Sequence, residues 1–295
     1  DVHGYALSGA IIASVTNGTI STPLLPQPVA NPALGRQKTL VVLARFLDSN
    51  ATPPITKRKM QDFIFGSSSH IKKFYAENSY NKTSFSGTVT NWITMPRNAK
   101  PVNSTTCQMA EVNEVFPLIK DTYNLATYDR LVLLSDSTDC LGGGYATVGK
   151  SPWQLENKDY NFSVSWVAVN PPSLKLDSNR PFPWTYLDYV IVHELGHNLG
   201  VMHANSWSCD GFAIINDQSC KHTEYGNNFS AMGYGNGALH FDAFAKDVLG
   251  WFNNTNNFLD FLDARSSVEI VRNGSYTLRP LENSTGVRMA KIKIK

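Results

Sequence analysis

The residues with the clearest chemical content are consecutive: His193-Glu194-Leu195-Gly196-His197-Asn198-Leu199-Gly200-Val201-Met202-His203. Positions four apart on a helix share a face, so the imidazoles of His193 and His197 can reach one ion. Gly200 is expected to end that helix. A glycine in the left-handed conformation turns the chain back and delivers His203 to the same ion. Three imidazoles leave one tetrahedral position open, the mark of a catalytic rather than a structural zinc. Water held there has a pKa of about 7. Glu194, beside the first ligand, is therefore the expected general base, returning the proton to a leaving amine. The competing reading is an ordinary core helix with satisfied histidines, which leaves the spacing unexplained.

Further on, Ser230-Ala231-Met232-Gly233-Tyr234 places one methionine in a turn. Its thioether would form a soft apolar floor beneath the imidazoles. The extended histidine pattern is identified as the metzincin signature, whose members carry such a Met-turn. The resemblance implies that Met232 is that residue. It also implies that Tyr234, two positions on, stands where astacin-like members carry a tyrosine that steadies the oxyanion. A packed surface tyrosine is the alternative for Tyr234. The order Glu224-Tyr225-Gly226, then Met232-Gly233, His240-Phe241 and Leu249-Gly250-Trp251 resembles gametolysin-type metallopeptidases. Phe74-Tyr75-Ala76-Glu77-Asn78-Ser79 is similar to the bacterial immune-inhibitor type. This likeness implies a secreted enzyme that cuts extracellular or cell-wall glycoproteins.

A second motif invites a different chemistry. Gly144-Tyr145-Ala146-Thr147-Val148-Gly149-Lys150-Ser151 matches the phosphate-binding P-loop pattern. That motif needs Lys and Ser to open a helix, yet Pro152 and Trp153 follow, then a polar run. The stretch is read as a glycine-rich loop. His3, His70, His222 and His240 lack ligand spacing and are read as surface or packing residues. Asp188 and Asp242 are read as structural. No Asp-rich loop fits an EF-hand, so calcium is without support.

Elements must position these groups. Thr39 to Phe46 reads as a buried first strand. Lys57–Phe65 and Ser69–Glu77 carry helical spacing, and Thr83–Met95 alternates as a strand. Ala110–Tyr123 is a predicted helix that Pro117 would kink. Asp129–Ser135 and Phe162–Val169 are predicted strands, the latter the candidate sheet edge on which an extended peptide could pair. Thr185–Leu199 is the metal-bearing helix, residues to about 230 are loop, and Phe241–Leu249 closes the body as a helix. Tyr276–Ile294 alternates like strands.

The chain has 295 residues, 42% hydrophobic and 17% charged, enough to fill a core and too weakly charged for a disordered chain. A net charge of +2 without a basic patch argues against nucleic acid as a partner. No apolar run reaches the roughly 18 residues of a membrane span. The first residues, Asp1-Val2-His3, lack the features of a leader, which is expected to have been removed. Four cysteines allow three pairings. Cys209–Cys220 and Cys107–Cys140 are favoured, with buried free thiols as the alternative. Nine N-x-[ST] sequons, beginning at Asn17, suit an extracellular surface, although about half would arise by chance.

The expected fold is an α/β metzincin-like layout: a twisted mixed sheet with an active-site helix beneath it, and a loop-rich lower subdomain holding the Met-turn. The expected organisation is an N-terminal extended segment (1–35) and a catalytic domain (36–265, its upper subdomain ending near 203). A β-rich segment (266–295) follows. The expected function is that of a monomeric, secreted zinc endopeptidase acting on extracellular protein. A non-cleaving adhesion module on the same scaffold is the rival.

Overall fold

The computed structural model describes residues 33–49, 52–99, 108–136, 143–170, 172–175, 184–209, 220–234, 240–252, 268–271 and 277–292. Cys107, Cys140, His3 and the sequons at Asn17, Asn50, Asn103, Asn253 and Asn273 lie outside them. The main sheet is built from β1 (Gly35–Arg45), β2 (Thr83–Thr94), β3 (Arg130–Asp136), β4 (Gly144–Ala146), β5 (Ser151–Leu155) and β6 (Lys158–Val169). Its order is β2-β1-β3-β6-β4, with β5 also pairing β6. The first three pairings are parallel, and β4 and β5 run antiparallel to β6.

Parallel strands covered on both faces read as continuous apolar runs, as Leu40–Ala44 does. Side chains alternate between faces, so β1 feeds two cores. Val41 and Leu43 join one cluster with Val132, Leu134 and Val167. Leu40, Val42 and Ala44 join another with Leu131, Leu133 and Val164. The first cluster receives α1 (Lys57–Phe65), α2 (His70–Asn78) and α4 (Tyr186–Leu199). The second receives α3 (Val112–Ile119).

Two expectations change. Phe162–Val169 is not an edge: β6 has β3 on one side and β4 and β5 on the other. The glycine-rich stretch after β3 folds back as a strand and takes the outer place, too short and too polar to announce itself by alternation. Helix α3 is also shorter than its apolar spacing suggests. A capping box between Glu111 and Glu114 starts it, and turns at Thr122 and Tyr123 end it beyond Pro117. The P-loop reading fails on the same ground as before: Ser151 opens a strand, and the Lys150 amine pairs with Asp129 at 2.8 Å.

After α4 the chain forms a small hairpin, β7 (Ser206–Cys209) with β8 (Cys220–Thr223), and then α5 (Ala243–Val248). The register sets Cys209 opposite Cys220, and Cys220 is disulfide-bonded. Two short parallel strands, β9 (Val268–Val271) and β10 (Met289–Ile292), pair near the C-terminus. Residues between them return to the body, where the Tyr80 hydroxyl donates to Leu281 O at 2.5 Å and Arg288 stacks on Tyr80 and Phe252. No helix among the described residues is long and apolar enough to cross a membrane.

Candidate metal centre

Helix α4 owes its start to Thr185 and Asp188. Each side chain bonds the other's backbone N–H in a capping box. Leu187, Val190, Ile191, Leu195 and Leu199 are buried along it. Each such burial is worth about 1.5–3 kcal/mol, which offsets the cost of taking His193, Glu194 and His197 out of water. The helix ends at Gly200, whose φ of 117° is left-handed.

The far end of α4 is pinned to the sheet. The buried Arg130 guanidinium donates to Asn198 O, to Ser163 Oγ at 2.8 Å and to Gln37 Oε1 at 2.5 Å. The Asn198 amide donates to Val164 O at 2.9 Å and Thr147 O at 3.1 Å, while its oxygen accepts from Ser165 at 2.8 Å. The Gly149 N–H donates to His197 O at 2.9 Å, tying the loop after β4 to the same turn.

Beyond Gly200 the chain folds back, and the structure brings His193, His197 and His203 together. One potential ligand atom from each lies within 4.8 Å of the others. Every Nδ1 has an oxygen partner: Ala231 O at 2.9 Å for His193, Val201 O at 2.8 Å for His197, and Glu224 Oε1 at 2.7 Å for His203. A carbonyl only accepts, so the Nδ1 atoms of His193 and His197 carry the protons and their Nε2 lone pairs are free for a metal. Burial lowers the His193 pKa to about 4, helped by His197 and His203, and burial likewise lowers that of His197. Both rings are therefore held neutral, as ligation requires. This donor set fits zinc.

Glu194 is buried beside the first imidazole. Its Oε2 lacks a hydrogen-bond partner, and burial pushes its carboxyl up to about 8. A divalent cation nearby acts in the opposite sense. Gly144 on β4 passes so near that a Cβ there would stand 2.9 Å from Glu194 Cγ and Oε1.

Met232 is fully buried in a turn closed by Gly233 N–H to Ser230 O. It packs under α4 at Gly196, where an added Cβ would meet its sulfur at 2.5 Å. The Tyr234 side chain is 78% exposed, and its backbone N–H donates to Tyr225 O. Two rings lie against the histidines: Tyr225, 3.8 Å from His203 and 5.9 Å from His193 between centroids, and Tyr189, 5.9 Å from His193. Sequence reasoning gave Glu224 and Tyr225 no chemical part. The only signal was their place in the ordered motifs after the third histidine.

The other histidines among the described residues have local partners. His70 stacks on Trp184, and His222 lies against Trp207. His240 bridges Glu77 at 3.0 Å and Lys246 at 3.2 Å. Asp188 and Asp242 cap helices. A search of curated proteins returns no match. The model of Metallo-peptidase family M12 matches residues 48–239, covering β2 to β6, helix α4 and all three histidines. The chain thus belongs to metallopeptidase family M12, as a metzincin-type zinc metallopeptidase.

Proposed function

We propose that this protein is a secreted zinc endopeptidase of the gametolysin-like subtype, with extracellular proteins or glycoproteins as substrates. One observation carries the reading: three convergent imidazoles, two of them with Nδ1 committed to carbonyls, stand beside the buried Glu194 carboxyl, whose Oε2 no hydrogen bond occupies. His193, His197 and His203 hold the ion, which when bound supplies Lewis-acid polarisation of a carbonyl and acidification of water. Glu194 takes the proton from the attacking water and returns it to the departing amine. An extended substrate strand would pair along β4, placing its scissile bond over the histidines.

Met232 serves as the Met-turn floor, and Gly200 directs His203 back to the centre. Tyr234 is assigned to the oxyanion. The catalytic domain is assigned to 36–265, with 1–35 as a propeptide remnant or linker and 266–295 as a β-rich appendage. Cys209–Cys220 and Cys107–Cys140 are the proposed disulfides, and the protein acts as a monomer. The subtype rests on the ordered motifs from Glu224 to Trp251.

Glu194→Gln provides the test. Casein digestion is expected to fall by about 10²–10⁴-fold, the usual worth of general acid–base catalysis, with zinc content unchanged. Normal turnover by the variant would remove Glu194 from this role. No cleavage by the zinc-loaded parent chain across a peptide library would favour the adhesion module.

A further inference from the structure

His203 differs from the other two ligands in what holds it. His193 and His197 sit on a buried helix, and their Nδ1 atoms face backbone carbonyls that the fold cannot easily move. His203 lies past the helix end in a segment without regular structure. Its orientation therefore depends on what grips the ring from outside.

Two adjacent residues supply that grip. Glu224 Oε1 stands 2.7 Å from His203 Nδ1, and the Tyr225 ring lies over the imidazole at 3.8 Å between centroids. Both follow strand β8 and are held by a knot of backbone bonds. Tyr225 N–H donates to Asn205 Oδ1 at 3.0 Å, and Asn227 N–H to Ala204 O at 3.0 Å. Ala204 N–H in turn donates to Met232 O at 2.8 Å. Tyr225 has a φ of 59°, so this turn is itself specially bent to present the two side chains.

We propose that Glu224 is a positioning residue for the metal centre: its carboxylate accepts the His203 Nδ1 proton and, with the Tyr225 ring, aims Nε2 at the ion. The inference rests on the zinc-peptidase reading above. A carboxylate behind a ligating imidazole fixes the tautomer and raises the basicity of the ligating nitrogen, and losing such a partner typically costs 10–100-fold in metal affinity. The other two imidazoles have weaker carbonyl acceptors, so the carboxylate effect falls on the ligand with the least support from its own backbone.

The experiment measures zinc affinity by competition with a chromophoric chelator, on the parent chain and on Glu224→Gln, Glu224→Leu and Tyr225→Leu. Glu224→Leu is expected to weaken zinc binding by about 10–100-fold. Glu224→Gln, whose amide oxygen still accepts, is expected to fall between it and the parent. Tyr225→Leu, which leaves the carboxylate in place, is expected to weaken binding less than Glu224→Leu. Glu224 is exposed, so the metal-stripped variants are expected to melt with the stripped parent. That separates positioning from folding. Equal affinity in Glu224→Leu and parent would overturn the proposal while leaving the peptidase reading intact. A parent chain that binds no zinc would sink both.

Discussion

Glu194 has a neighbour whose importance lies in what it lacks. Gly144 brings the β4 backbone so close that a methyl group there would crowd Glu194 Cγ and Oε1, and Trp166 O as well, each at 2.9 Å. The Trp166 carbonyl belongs to the sheet and cannot give way, so the carboxylate must. A displacement near 1 Å at a reacting group costs about 10²-fold in rate. Gly144→Ala is thus expected to lower kcat by about that factor with KM and zinc content little changed, as steady-state kinetics on a fluorogenic peptide would register. An unaltered kcat would mean that the crowding is relieved elsewhere. Histidine spacing and Glu194 are legible in the sequence because helix geometry makes them local. The approach of Gly144 to Glu194, fifty positions apart, is not, since it depends on which strand becomes the edge. The pairing of Glu224 with His203 escapes notice for the same reason: it is set by a fold-back, and no periodicity encodes it.

At the scale of elements, the boundaries read from capping and apolar spacing agree with the structure where those signals are strong. Lys57–Phe65 runs as predicted, and α4 starts one residue after its capping threonine. The misses are short strands. β4 has three residues and β5 contains Pro152, so neither shows the alternation on which strand reading depends. Asn198 helps join the sheet to α4: its amide serves Thr147 O just after β4, and Val164 O and the Ser165 hydroxyl on β6. Asn198→Ala would strand those groups in a buried site, where an unmet partner costs about 1–3 kcal/mol. A urea titration is expected to show a loss in that range. A change below the error of the method would imply that water replaces the amide at no cost.

Over the whole molecule, one buried amine sits where the C-terminal residues meet the body. Lys246 Nζ donates to Asn78 O at 3.0 Å, His240 Nδ1 at 3.2 Å and Tyr80 Oη at 3.3 Å, and reaches Leu281 O at 3.4 Å. Burial lowers its pKa from 10.5 to about 7; Glu282 and Glu77 oppose the shift, and Arg288 adds to it. A base with a depressed folded pKa binds fewer protons folded than unfolded across that interval, so its contribution to stability rises with pH. Between about pH 7 and 10.5 the parent is therefore expected to gain stability relative to Lys246→Met. Parallel unfolding curves across that window would show that the amine keeps its proton.

The division of the sheet into two cores has a further consequence for how this chain tolerates change. Along β1, β3 and the end of β6, odd and even positions report to opposite sides of one wall. Val41, Leu43, Val132 and Leu134 share a core with the helix that bears the ligands, whereas Leu40, Val42, Leu131 and Leu133 share one with α3. Volume lost on the α3 side is absorbed away from the chemistry. The same loss one residue along the chain falls in the core that also seats α4. Inherited variation in a single strand would thus fall into two classes, one that erodes robustness and one that also detunes the enzyme.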